Sequence, residues 1–161
     1  MIEKNSAATT LTTPSDREIV ITRVFDAPRS LVFEAWTRPD HVTRWYGPRD
    51  FTLSVCDIDL RVGGAYRFVL RGPDGKDYGF KGVYREIVPP ERLVYTDGFE
   101  GMPGHEALVT LTFDEYDGKT TLTSTSLYKT VEDRDAHIKA GMEQGMRETL
   151  DRLAEHLHTL A

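Results

Sequence analysis

The chain has 161 residues, 39% hydrophobic and 29% charged, with a formal net charge of −6 and a pI near 5.4. That length suits one domain that buries most of its unfolded surface without a disulfide or metal staple, and the acidic balance argues against a general nucleic-acid or anionic-membrane surface. Cys56 is the only cysteine, which excludes an intramolecular disulfide. With no apolar stretch long enough to span a bilayer and no apolar signal segment, the expected location is cytoplasmic.

Residues 1–16 are polar and rich in Ser and Thr and read as a flexible tail; 17–161 read as a single domain. Arg17 to Phe25 is β-branched and alternating, a first strand. Asp26-Ala27-Pro28 then starts a helix, with Asp26 as the expected cap and Pro28 in the first turn. Pro39 breaks it, and a second short helix from Asp40 to Trp45 ends at Gly47-Pro48. Strands follow at 51–58, 65–71, 78–88, 92–96, 105–116 and 120–128, separated by turn residues. Asp117-Gly118 is a type I′ hairpin signal. Thr130 caps a final helix, with Asp133 three residues on. From Val131 to Leu160 there is no proline, and Ile138, Met142, Met146, Thr149, Leu150, Leu153 and Leu157 recur on an arc of about 120°. The spacing predicts one helix of roughly 30 residues, about 45 Å long.

Strands joined by short turns predict an α+β fold: a curved antiparallel sheet of six to seven strands around a long C-terminal helix, with two short helices between the first two strands. No nucleophile elbow, Walker loop or dinucleotide fingerprint is present. His41, His105, His137, His156 and His158 lack metal-ligand spacing, and His137 reads as a surface pair with Asp133. No cofactor is implied. His105, Glu106, Glu86 and Tyr66 are the weak catalytic candidates. The aromatic residues say more. Tyr66 and Phe68 alternate onto one face of a strand, as do Leu93 and Tyr95 on another. Buried phenols and indoles need hydrogen-bond partners, and Met142 and Met146 tolerate irregular gaps. The combination suits a mostly apolar pocket with a few polar anchors.

Three segments carry a family resemblance: Trp45-Tyr46-Gly47-Pro48, Asp59 to Gly64, and Gly82 to Thr96. Together they resemble the activator of heat shock protein 90 ATPase homologue-like family, within the START-like, Bet v-like helix-grip superfamily. The resemblance runs from about Arg17 to Leu160. It implies a cavity between sheet and C-terminal helix, walled by Trp36, Trp45, Tyr66, Phe68, Tyr84, Tyr95, Phe99, Met142 and Met146, with the loop from Gly98 to Gly104 as a lid. One departure is visible: Gly145-Met146 stands where the family usually has Gly-Trp, so the pocket's shape is expected to differ.

Fold does not specify activity. The leading expectation is a binding module for a small hydrophobic or aromatic molecule, with flat apolar ligands favoured over charged ones. The alternative is a hydrolase or cyclase working in the same cavity. A third reading is a chaperone-related interaction; it is discounted because the family's co-chaperone resembles a two-domain protein and residues 1–16 cannot form its extra domain. A homodimer is compatible with the sequence. A histidine or carboxylate with a shifted pKa inside the cavity would favour catalysis over binding.

Overall fold

The computed structural model describes residues 9–160. Eight strands form one antiparallel sheet in the order β1-β2-β8-β7-β6-β5-β4-β3. They are β1 (Thr10–Thr12), β2 (Glu18–Phe25), β3 (Thr52–Ile58), β4 (Ala65–Arg71), β5 (Asp77–Val88), β6 (Arg92–Phe99), β7 (Ala107–Tyr116) and β8 (Lys119–Leu127). Between β2 and β3 the chain crosses to the far edge through α1 (Arg29–Thr37) and α2 (Pro39–Trp45). It then winds back strand by strand until β8 lies beside β2. Irregular register at Leu53/Val55 and at Tyr84/Glu86 adds local bend and twist. The β7–β8 turn has φ of 55° at Asp117 and 76° at Gly118, the paired positive values that its sequence predicts.

The sheet has one strand more than the predicted upper count, because Thr10–Thr12 pair with Val20–Thr22. That segment was expected to be tail; residues 1–8 lie outside the described residues. The helix cap also differs. Pro28 occupies the N-cap, Asp26 makes no cap bond, and the Glu115 carboxylate on β7 accepts the Arg29 N–H at 2.9 Å instead. A carboxylate at a helix N-terminus satisfies a free donor and the helix dipole together.

The predicted single C-terminal helix is two: α3 (Val131–Lys139) and α4 (Met142–Leu160). Thr130 caps α3 through the Asp133 N–H at 3.0 Å. Gly141, with φ +86°, ends it in the left-handed conformation that glycine adopts freely at helix C-termini. The chain needs no proline to stop there. α3 buries none of its residues, and Ile138 is 39% exposed. The buried stripe is therefore confined to Thr149, Leu150, Leu153 and Leu157 on α4, a helix about 28 Å long. These leucines meet Ile19, Ile21, Leu111, Phe113 and Leu122 in the core.

One charged link also joins α4 to β2. Arg23, 1% exposed, donates to Asp151 at 2.7 Å and to the Thr9 hydroxyl at 3.0 Å, and its guanidinium lies 5.4 Å from the Phe25 ring. Removing the half-buried Asp151 would strand the fully buried Arg23 guanidinium. No described helix is long and apolar enough to cross a membrane.

The division between α3 and α4 predicts unequal sensitivity to truncation. Leu153→Ala should cost about 2–5 kcal/mol, Ile138→Ala no more than about 0.5 kcal/mol, and half-buried Met146→Ala an intermediate amount in chemical denaturation. Equal losses at all three positions would mean that α3 is packed as firmly as α4.

Candidate functional site

Six of the predicted wall residues meet around one cavity: Trp36 from α1, Trp45 from α2, Tyr66 and Phe68 from β4, Tyr84 from β5 and Tyr95 from β6. Val42, Tyr46, Leu93 and Asp97 complete the lining. The space is partly open to solvent and has about 30 Å³ accessible to water, room for one or two molecules. Counting the part open to solvent, the free space is about 380 Å³.

The cavity's position corrects the expected one. It lies between the two short helices and β4–β6, and α4 contributes no wall. The leucine stripe of α4 is buried in the core, whereas the large rings under α1 and α2 leave space between them. Met142 and Met146 pack at the edge of the core but do not line the space, so the departure at Met146 does not shape it.

The rings form a chain of contacts. Trp36 and Trp45 are 4.8 Å apart between centroids, Trp45 and Tyr46 5.8 Å, Tyr46 and Phe68 4.8 Å, and Phe68 and Tyr66 5.0 Å. Tyr66 then meets Tyr84 at 5.7 Å and Tyr95 at 5.5 Å. Such tilted and edge-on pairs are favourable beyond the area that they bury.

The three sequence segments that carry the family resemblance each fix part of this wall. In the first, the Trp45 indole donates to the Ala35 carbonyl at 3.0 Å, and Arg152 of α4 donates to the carbonyls of Gly47 at 2.9 Å and Pro48 at 3.2 Å. Gly47 has φ +102°, and a methyl there would run into Leu70. In the second, the Gly63 N–H donates to the Tyr84 carbonyl at 2.8 Å, and the Tyr84 N–H to the Gly64 carbonyl at 2.9 Å, hooking the turn onto β5.

The third opens the sheet. β5 pairs with β6 at Phe80–Lys81 and again at Tyr84, but not between. There the Tyr66 hydroxyl lies 3.0 Å from the Thr96 carbonyl, to which it donates when the Asp97 carboxyl is protonated, and the Val83 N–H turns to the Thr96 hydroxyl at 2.9 Å. Gly82 makes this arrangement fit, because a methyl at that position would overlap both the Thr96 carbonyl and the Tyr66 ring.

Tyr66 also lies 2.7 Å from Asp97 Oδ1. Among the described residues this is the one side-chain hydrogen bond to the Asp97 carboxylate, and Asp97 is the one charged lining residue. Burial raises its pKa above the ordinary carboxylate value, against the opposing effect of the Tyr66 bond. Burial, followed by the nearby Asp97 charge, likewise raises the pKa of the Tyr46, Tyr66 and Tyr95 phenols and keeps them as donors. Cys56 is a neutral thiol at physiological pH, since burial pushes it up to about 11.

The remaining candidates are elsewhere. Phe99 stacks near Phe80 at 5.4 Å and lines a second groove of about 650 Å³, which Glu106 also lines. Arg67, Lys81, Val83 and Thr96 share that groove and alternate with the cavity residues, which places it on the opposite face of the sheet. The loop expected to be a lid is tied to this outer side: Glu100 accepts from Arg67 at 2.7 and 2.9 Å, and Glu106 from Lys129 at 3.0 Å. His105 pairs with Asp133 at 2.7 Å and Glu86 with Arg92 at 3.0 Å, both largely exposed and outside the cavity. His137 contacts the Tyr128 hydroxyl, not Asp133. His41 and His156 meet at 2.9 Å between α2 and α4, also away from the cavity. Among the described residues no three His, Cys, Asp or Glu side chains are grouped to hold a metal.

The polar residue missing from the sequence-based candidates is Asp97. Leu93 and Tyr95 point inward by alternation, and the same period continued by two residues reaches it. Its raised pKa has a stability consequence with a definite sign. The carboxyl's favourable contribution is complete below the unfolded pKa of about 3.9 and is lost as pH rises through the higher folded value. Asp97→Asn, which keeps an acceptor for Tyr66, should therefore raise the melting temperature at pH 7 more than at pH 3.5. A gain that is constant or larger at low pH would show that Asp97 is not held in its neutral form.

Solved structures of similar architecture span nearly the entire chain. A protein from Rhodobacter sphaeroides is 28% identical with a TM-score of 0.87, covering 95% of this chain and 99% of its own. One from Staphylococcus epidermidis is 29% identical at a TM-score of 0.80, covering 94% and 95%. One from Arthrobacter aurescens is 25% identical at 0.85, covering 94% and 92%. No curated protein matches the sequence. The family model described as Activator of Hsp90 ATPase homolog 1-like protein matches residues 26–158, which include all three wall-fixing segments. The chain belongs to that family.

Proposed function

We propose that this chain binds a small, mostly apolar molecule in the cavity beneath α1 and α2. The observation that supports this is the lining itself: seven aromatic rings around a space with one polar anchor, the Tyr66–Asp97 pair. Binding sites for small molecules combine apolar walls with a few placed polar groups in this way. The space is small and partly open, so a ligand's head group meets the anchor while its body extends toward solvent. The preference for uncharged apolar ligands expected from the aromatic residues does not extend to the group that meets the Asp97 carboxyl in the wall.

Asp97 also gives the enzyme reading its one specific observation, because a half-buried carboxyl of raised pKa beside a phenol can move a proton. Binding remains the better-supported reading, since no activated nucleophile lines the cavity among the described residues. Recovering a bound compound by mass spectrometry separates the two: a binder returns it unchanged, an enzyme returns a product.

Trp36 and Trp45 supply the test. Titration with indole-free aromatics such as 2-naphthol should quench their fluorescence saturably and raise the melting temperature with ligand concentration, by about 2.7 kcal/mol of added stability at a hundred times Kd. Trp36→Phe should remove much of the signal while leaving the thermal shift. The reading is wrong if aromatic compounds across this size range give neither saturable quenching nor a thermal shift.

A further inference from the structure

The cavity's charge pattern identifies the chemistry of its anchor more narrowly than its apolar character does. Each aromatic face presents the negative side of its quadrupole. The only ionisable lining residue that can carry charge at neutral pH is Asp97, and no Lys, Arg or His lines the space among the described residues. Both features attract a cation and repel an anion. A neutral apolar group would leave the carboxylate desolvated beside it, with Tyr66 as its single side-chain donor.

Building on the binding function proposed above, we propose that the cavity takes the primary ammonium head of a small organic amine, with Asp97 as counter-ion and the surrounding rings as cation–π faces. An ammonium supplies the N–H donors that the Asp97 carboxylate can still accept, and indole and phenol faces are the strongest aromatic partners for a cation. Size points the same way. With room for only one or two waters between the rings, the space favours a small head group over a trimethylammonium. Tyr66 has the positioning role: with the carboxyl ionised, its one hydroxyl proton goes to Asp97 Oδ1 at 2.7 Å, which fixes the carboxylate from one side and leaves the other side to the ligand.

The experiment compares phenethylamine with propylbenzene, which replaces the ammonium by a methyl group at nearly the same shape. Affinities are measured by tryptophan quenching and calorimetry at pH 7 on wild type, Asp97→Asn and Tyr66→Phe. The proposal expects wild type to prefer the amine by about tenfold or more, Asp97→Asn to lose that preference, and Tyr66→Phe to retain it because the charge remains. Equal affinities, or tighter binding of propylbenzene, would overturn the ammonium assignment while leaving the binding function standing. If neither probe binds, the binding function fails and the assignment fails with it. The wild-type comparison decides the assignment even if Asp97→Asn does not fold.

Discussion

The cavity depends on a steric allowance at one residue. Because Gly82 has no side chain, the Tyr66 ring can lie across β5 and place its hydroxyl on the Thr96 carbonyl, where a strand-to-strand hydrogen bond would otherwise form. The sheet loses little by this exchange: Thr96 offers its own hydroxyl to the Val83 N–H, so the displaced donor remains satisfied. Tyr66 in turn holds Asp97, and its ring contacts Phe68, Tyr84 and Tyr95. The anchor and much of the wall are thus positioned by one tyrosine that a glycine admits.

The two ends of the molecule are stabilised differently. Around β2, β7 and β8 the leucines of α4 are buried in one core cluster with the sheet residues, and the Arg23–Asp151 pair ties the helix to β2. Over β4–β6 the covering elements are the short helices, and the rings beneath them leave free space. α4 nevertheless contributes to the cavity at a distance, since Arg152 ties down the Gly47–Pro48 carbonyls next to Tyr46. This division lets a rigid core support an imperfectly filled site, a common arrangement for binding cavities.

Much of the architecture is legible in the sequence, because alternation, turn glycines and the Thr130 cap all act locally. Three features escape for identifiable reasons. Gly141 reads as a tolerated cost inside a continuous apolar stripe, and only the exposure of Ile138 shows that the stripe ends at α4. The cavity's location depends on which helix leaves space over which strands, a packing outcome that periodicity does not contain. Asp97 lies on the inward face by the same alternation that marks Leu93 and Tyr95, but an aspartate before a glycine-rich loop resembles an ordinary turn residue. The outlying candidates are engaged elsewhere, Glu106 and Glu86 by cations and His105 by a hydrogen bond to Asp133, which strand position alone does not reveal.

The central claim is that a carboxyl group sits among aromatic rings with Tyr66 as its side-chain partner, its pKa raised by burial. Carbon-13 NMR of the Asp97 side-chain carboxyl, followed through a pH titration of the folded protein, reports this directly. The account predicts a midpoint above the ordinary aspartate value of about 3.9, moving down when an ammonium compound occupies the cavity. A midpoint at or below that value in the free protein would mean that Asp97 is solvated, and the cavity would then lack the anchor assigned to it.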